Sequence, residues 1–378
     1  MKYFDFASTC PMSKESLQTY ITASQEYYGN TESLHDAGSK AETLVEHCRA
    51  TLANLLKVEQ EGISFTSGGT ESNMLAINAL AEAKRGKHII ISAGEHSSIK
   101  NVTTKLMNAG FEVSEVPLTN EGIIDMEQLQ QLIREDTSLI SIQHVNSETG
   151  KIQPIEKVHK ICKSNHLLLH SDCVQSFGKI DLSSITSLVD SFSISSHKIY
   201  GPKGIGALYI RPSLSFRPFL PNVTHESGVR PGTLNTPGIA AFTTAAKEMV
   251  MNLHSHQNHT QQLKQELIKH LDEVKQKVEI IGSNSEAPIP IIGLCIENVS
   301  GQHMMLEANR KGFYFSTGSA CQMSKNAPSQ TLLAMGLSEQ KAQTFIRISF
   351  GRDQTLNDVR GLASAIIDVI EGEDYEPV

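Results

Sequence analysis

The chain has no CxxC pair, no long apolar run and no surplus of positive charge. Each absence removes a class of function. Its six cysteines, Cys10, Cys48, Cys162, Cys173, Cys295 and Cys321, are scattered through 378 residues. That spacing makes neither a disulfide framework nor a zinc ribbon, so free thiols in a reducing cytoplasm are expected and no metal site is assigned. The longest apolar stretch, around Ile289 to Ile296, is interrupted by Pro290 and Gly293. A membrane helix needs about 20 apolar residues, so no span is expected. The opening Met1-Lys2-Tyr3-Phe4-Asp5 lacks the apolar region of a secretory signal. With 33 Lys and Arg against 41 Asp and Glu, the formal charge is −8, which argues against direct nucleic-acid binding. No internal repeat is visible. A polar run holds His254, His256 and His259, read as a solvated helix face in preference to a metal site.

What is present is alternation. Short apolar runs at 63–66, 88–92, 111–116, 139–145, 167–170, 191–194 and 205–210 read as strands. Helical patterns at 71–84, 99–109, 126–134 and 155–165 separate them. This rhythm predicts an α/β fold, with a mostly parallel sheet between helices and ligands bound beyond the carboxyl ends of the strands. Beyond residue 235 the pattern changes. A long helical stretch, bent along its length, is expected from Thr236 to about Lys277. Strands follow at 278–281, 290–296 and 345–350, and a last helix spans 356–371, started by a Thr355/Asp358 capping box. This predicts a large domain over 13–250 and a smaller α+β domain over 251–378, with residues 1–12 packed on either one.

Four strand ends carry the chemistry. Ser195-Ser196-His197-Lys198 follows the 191–194 strand. A lysine at the end of a buried strand loses basicity and gains nucleophilicity toward carbonyl carbon, and short polar neighbours suit a phosphate. An amine for an aldehyde beside donors for a phosphate is what pyridoxal 5'-phosphate needs; a surface lysine in a basic loop is the alternative. Thr66-Ser67-Gly68-Gly69-Thr70-Glu71-Ser72 opens a helix, and Gly69 and Thr70 are the candidate phosphate contacts. Asp172 ends an apolar strand, either as partner of a pyridine nitrogen or as a helix cap. Gln175, three residues on, is placed to reach the ring's phenolic oxygen. His96 is placed to stack on a flat ring and to move protons. Apart from these, Arg347 on the alternating run Phe345-Ile346-Arg347-Ile348 suits a substrate carboxylate or an internal salt bridge. Cys321, after Ser316-Thr317-Gly318-Ser319-Ala320, is the candidate thiol nucleophile.

Taken in order, the blocks Phe65–Ser72, Glu95-His96, His144–Gly150, His170–Lys179, Ser195–Gly204, Arg230–Thr233, Ser316–Cys321 and Arg347–Gly351 resemble the NifS/IscS-type cysteine desulfurases. These are fold-type I pyridoxal-phosphate enzymes of the class V aminotransferase group. The resemblance spans nearly the whole chain. It implies a seven-stranded sheet in the large domain. It implies that Lys198 holds the cofactor covalently and then acts as acid and base. It implies that Asp172, Gln175 and His96 tune the ring, and that Gly69, Thr70, Ser195 and His197 hold the phosphate. Thr233 would reach the phosphate of a partner subunit in a homodimer. Arg347 and Asn146 would receive L-cysteine, and Cys321 would take its sulfur as a persulfide while alanine leaves.

Three departures stand out. The opening Asp5-Phe6-Ala7-Ser8-Thr9-Cys10-Pro11 differs modestly from the family's usual Asp-Tyr-Ala-Ala-Thr-Thr-Pro. Ser147 occupies the place where the family more often has a second asparagine beside the cofactor's phenolic oxygen, and the chain stops soon after its last helix. The sulfur acceptor is therefore left open between an iron–sulfur scaffold, a cluster enzyme such as one in NAD biosynthesis, and a thiolation enzyme. Two other readings compete: selenocysteine lyase or another class V enzyme, and a non-enzymatic binding protein on the same fold.

Overall fold

The computed structural model describes residues 2–216, 225–282, 287–318 and 328–372. Its strands in chain order are β1 (Lys2–Tyr3), β2 (Ile63–Thr66), β3 (His88–Ser92), β4 (Glu112–Val116), β5 (Thr137–Ser141), β6 (Leu168–Asp172), β7 (Ser191–Ser195), β8 (Gly206–Ile210), β9 (Val278–Ile281), β10 (Ile291–Ile296), β11 (Phe313–Tyr314) and β12 (Phe345–Ser349). Seven of them form one sheet in the order β2-β8-β7-β6-β5-β3-β4. Strands β3 to β7 pair in parallel, and β8 alone runs against its neighbours β2 and β7. The expected mostly parallel seven-stranded sheet is therefore observed.

The apolar runs alternate in the sense a sheet covered on both faces requires. Ile90, Ile140 and Leu169 belong to one hydrophobic core. Ile89, Ile91, Leu139 and Leu168 belong to another, built against Ile77, Leu80, Ile99 and Leu106. Burying one such side chain contributes about 1.5–3 kcal/mol. A one-residue slip of register would turn both sets around at once, and this fixes where each strand ends.

Local signals held through the later part of the chain. The long helical stretch breaks at Asn252 into Thr236–Met251 and Leu253–Leu271. The last helix, Leu356–Gly372, begins with a reciprocal capping box: Thr355 N–H donates to Asp358 at 2.9 Å, and Asp358 N–H to Thr355 Oγ1 at 3.2 Å. Before Ile63 the sequence marks only Cys48, as a core position in a helical pattern; helix Lys14–Glu26 goes unread, and helix Asp36–Leu56 bears Cys48 at such a position. In the second, Ala41, Val45, Cys48, Leu52 and Leu56 face the core at helical spacing.

Strands β9, β10 and β12 form a separate antiparallel sheet. A second core packs it against helices Leu253–Leu271, Gly301–Arg310 and Leu356–Gly372. The start of the chain joins this unit. Strand β1 pairs with β11, Phe4 is buried in the same core, and Ser349 N–H donates to Phe4 C=O at 2.8 Å. From there residues 5–10 cross to the large sheet, where Cys10 N–H donates to His197 C=O at 2.8 Å.

Candidate active site

The carboxyl ends of β2, β3, β5, β6 and β7 lie along one edge of the sheet. Beyond that edge is a cavity of about 270 Å³. Gly69, Thr70, His96, Ser147, Asp172, Gln175, Ser195, His197, Lys198 and Arg347 all line it. These ten sequence-predicted residues come from six separate stretches, and the fold brings them to one place.

Lys198 follows β7 in a single 3₁₀ turn, Ser196–Lys198. Its Nζ donates to Ala7 C=O and Ser8 C=O, each at 2.7 Å. Burial first, and then the Arg347 charge, pull its pKa from 10.5 down to about 8. Near neutral pH a usable fraction is thus free base, as a nucleophilic amine requires.

Asp172 ends β6, and both of its oxygens are held. Asn73 Nδ2 donates to Oδ2 at 2.7 Å, and Val174 N–H to Oδ1 at 2.9 Å. Asn73 is the hub of a wider network. Its Nδ2 also donates to Ser98 Oγ at 2.9 Å, and its Oδ1 lies 3.2 Å from His170 Nε2. Burial pulls His170 down to about 3, so the ring is neutral and its Nε2–H is the donor. Ser98 Oγ accepts from Asn73 and so turns its own proton toward His96 Nδ1, 2.8 Å away; Ser98 N–H also donates to that nitrogen at 3.2 Å. His96 Nδ1 is therefore the acceptor, and the neutral ring keeps its proton on Nε2. Burial also lowers the pKa of His96 itself.

At the other end of the cavity, helix Gly69–Ala83 begins after Gly68, whose φ of 146° suits glycine. A Cβ on Gly69 would lie 2.6 Å from Val174 Cγ2. Among the described residues Ser195 Oγ is buried without a partner. His197 sits 3.1 Å from Thr9 Oγ1, and burial with the charges of Lys198 and Lys179 pulls it down to about 4. Together these are a helix N-terminus, a free hydroxyl and neutral ring nitrogens around one concavity, a set that accommodates an anion.

Arg347, on β12, closes the cavity from the C-terminal unit. It donates to Ser147 C=O at 2.9 Å, to Asp5 Oδ1 at 2.7 Å and to Ser8 Oγ at 2.6 Å. Among the described residues its Nε is buried without a partner.

Three candidates stand elsewhere. Asn146 is buried and does not line the cavity; its Oδ1 accepts from Glu148 N–H and Thr149 N–H, both at 2.9 Å, and so closes its own turn. Thr233 is exposed, away from this cavity. Cys321 lies outside the described residues. The expected 139–145 strand ends at Ser141, because residues 143–147 turn to form the cavity wall.

Sequence reasoning missed Asn73, Ala7 and Ser8. Asn73 had a usable signal, being one helical turn beyond Gly69 on the same face. Ala7 and Ser8 had none, since they reach Lys198 across 191 and 190 residues.

Residues 2–362 match the family model "Aminotransferase class-V". A relative in Bacillus subtilis (strain 168), "Putative cysteine desulfurase NifS", is 44% identical over 96% of this chain and 93% of its own. In Archaeoglobus fulgidus, "Cysteine desulfurase IscS 1" is 34% identical over 98% and 97%. A solved structure titled "NIFS-LIKE PROTEIN" superposes with a TM-score of 0.90 at 33% identity, covering 98% of this chain and 99% of that one. The chain belongs to the class V aminotransferase family, among the NifS/IscS cysteine desulfurases.

Proposed function

We propose that this chain is a pyridoxal-phosphate-dependent cysteine desulfurase, which takes sulfur from L-cysteine onto Cys321 and releases L-alanine. One observation carries the reading. An amine brought down to about 8, a carboxylate held by two donors and an anion cradle with a free buried hydroxyl face a single cavity.

The residues fit the cofactor by the chemistry of their donors. Lys198 matches its aldehyde and Asp172 its ring nitrogen. Gly69, Thr70, Ser195 and His197 match its phosphate, and Gln175 its phenolic oxygen. The cavity, about 270 Å³, is near the lower end of small-molecule sites, about 300 Å³. When bound, pyridoxal phosphate supplies an electron sink for charge developing on the substrate's α-carbon.

The chain's own groups do the rest. Arg347 is fixed by three acceptors and still has its Nε for a substrate carboxylate. Ser147 serves through its carbonyl, which anchors Arg347. Lys198, titrating near 8, is suited to take a proton and return it. His96, neutral with its proton on Nε2, is suited to donate it. In net terms the carbon–sulfur bond of cysteine breaks and an S–S bond forms on Cys321. The Cys321 thiol and cysteine become a persulfide and alanine with every hydrogen accounted for. The alanine carbon is reduced while the two sulfurs share the oxidation.

The same reading divides the chain into a large domain over 13–250 and a small one over 251–378, with residues 1–12 starting on the small one at Phe4 and reaching the large one at Cys10. The second core, which includes Phe4, supports that division. It also makes the enzyme a cytoplasmic homodimer with Thr233 acting in the neighbouring site. Thr233 is exposed here, as are Leu17, Ile21, Tyr28 and Leu34 near the chain's start. Five described cysteines are free thiols, and among the described residues no helix is long and apolar enough to cross a membrane. The persulfide would pass to a sulfur acceptor of iron–sulfur assembly, including a cluster enzyme of NAD biosynthesis, or of thiolation.

The test is purified protein with pyridoxal phosphate, L-cysteine and a thiol reductant. Alanine and sulfide released in equal amounts support the reading. Alanine without sulfide, or neither product, refutes it.

A further inference from the structure

Behind the active cavity lies a cation that the proposed chemistry does not use. Lys179 follows Gly178, whose φ is +71° and whose Cβ, if it had one, would lie 2.9 Å from Ile199 Cγ2. The lysine is 8% exposed and lines a second, smaller space that it shares with Cys10 and Tyr200. Among the described residues it makes no ion pair, and its Nζ has one hydrogen-bond acceptor: Gln175 Oε1, at 2.7 Å. The charged and titratable groups facing it are Cys10 from the chain's start, Lys198 and the neutral His197 after β7, and Arg347 on β12. Tyr200, His256 and Arg352 line the same space. Burial keeps Cys10 a thiol by raising its pKa, and the other two partners in charge are cations. Burial, with the Lys198 and Arg347 charges, pulls the pKa of Lys179 from 10.5 down to about 7; a buried amine that still titrates near neutrality in such company is destabilising when charged, so its retention needs a use.

The use is written in the amide it touches. A lysine amine carries N–H whether charged or neutral, and it donates here to the Gln175 oxygen. Ala7 C=O only accepts, and Gln175 Nε2 donates to it at 2.8 Å. Turning the amide over would set oxygen against the Ala7 carbonyl at any pH, and N–H against the Lys179 amine whenever that is charged. One Nε2 hydrogen is committed to Ala7, and the second is left for the cavity that Gln175 lines. We propose that Lys179 is a positioning residue that locks the Gln175 carboxamide with its N–H face toward the cavity, and so supplies the hydrogen bond to the cofactor's phenolic oxygen. This rests on the reading of the cavity as a pyridoxal phosphate site.

A donor at the phenolic oxygen favours its ionised form. Losing that donor raises the pH at which the bound cofactor's visible band titrates, by about 0.5–1 unit. The experiment is a spectroscopic pH titration of cofactor-loaded wild type, Lys179→Met, Gln175→Leu and the double variant, with a thermal melt of each. The expected result is an upward shift in both single variants and no further shift in the double. An equal additional shift from Lys179→Met in the Gln175→Leu background would mean that Lys179 acts by charge alone, and it would overturn the proposal. Lys179→Arg keeps a donor and should titrate like wild type even if the Met variant folds poorly; a full shift in the Arg variant would also overturn it. Wild-type protein with no visible band would refute the underlying site reading, and the proposal with it, an outcome distinct from both.

Discussion

Arg347 and Asp5 are 342 residues apart in the chain, and their side chains meet at 2.7 Å. The contact ties the first residues of the protein to the strand that closes the active cavity. In the proposed reading a substrate carboxylate would meet a guanidinium already held on one edge, whose Nε has no partner among the described residues. Arginine can serve fixed acceptors and an incoming carboxylate together because its donors are spread over a planar fork. Arg347→Lys should therefore raise the KM for L-cysteine by about 10–100-fold with a smaller change in kcat. Steady-state kinetics checks this, and an unchanged KM would place the carboxylate elsewhere.

Lys198→Ala should abolish both turnover and the cofactor's visible band. In the wild-type apoprotein, capture of added pyridoxal phosphate needs the free amine. With the Lys198 pKa brought down to about 8 by burial and Arg347, the capture rate should rise with pH through a midpoint near 8. A midpoint at the ordinary lysine value, or an active Ala variant, contradicts the assignment.

Asn73→Ala removes the donor to Asp172 Oδ2 and the link that orients Ser98 toward His96. A hydrogen bond to a charged group is worth about 1.5–3 kcal/mol. The variant should stay folded and bind the cofactor about 10–100-fold more weakly, measured by equilibrium titration of the visible band. Wild-type affinity would show that Asp172 is positioned without it.

Acid should destabilise the fold before its carboxylates protonate. His170, His144 and His197 are held neutral by burial, at about 3, 4 and 4. Their folded pKa values lie below the unfolded value of 6.5, so the unfolded state binds more protons. Their contribution is fully present above 6.5 and is lost as pH falls toward the folded values. Each costs up to about 1.4 kcal/mol per pH unit in that window. Buried Glu95, raised well above 4.5, acts in the opposite sense and offsets part of this. Urea midpoints should fall between pH 6.5 and 5, and His170→Asn should flatten the slope. A flat profile in the wild type would contradict the burial of these rings.

Much of the fold and of the site was legible in the sequence. Lys198, Asp172, His96 and the 66–72 turn each end an apolar strand, and a parallel sheet sends such ends to one edge. Continuous apolar runs such as Ile89-Ile90-Ile91 read as strands buried on both faces. What was not legible is non-local. Nothing near Ala7 or Ser8 announces that their carbonyls hold Lys198, and nothing near Asp5 announces Arg347. The first two helices carry an ordinary apolar stripe of which the reading picked out only Cys48. Asn146 was chosen by motif position, whereas its carboxamide is used by its own turn. The role of Lys179 depends on which way an amide faces, and no sequence pattern encodes that.

The most direct test of the central claim is a single turnover. Cofactor-loaded protein is mixed with L-cysteine without reductant, trapped with an alkylating agent, digested and analysed by mass spectrometry. The prediction is one extra sulfur atom on the peptide containing Cys321, with an equal amount of alanine in solution, and no extra sulfur on that peptide in Cys321→Ala, which still shows the visible band. Extra sulfur on another cysteine, or alanine and sulfide released normally by Cys321→Ala, would contradict it.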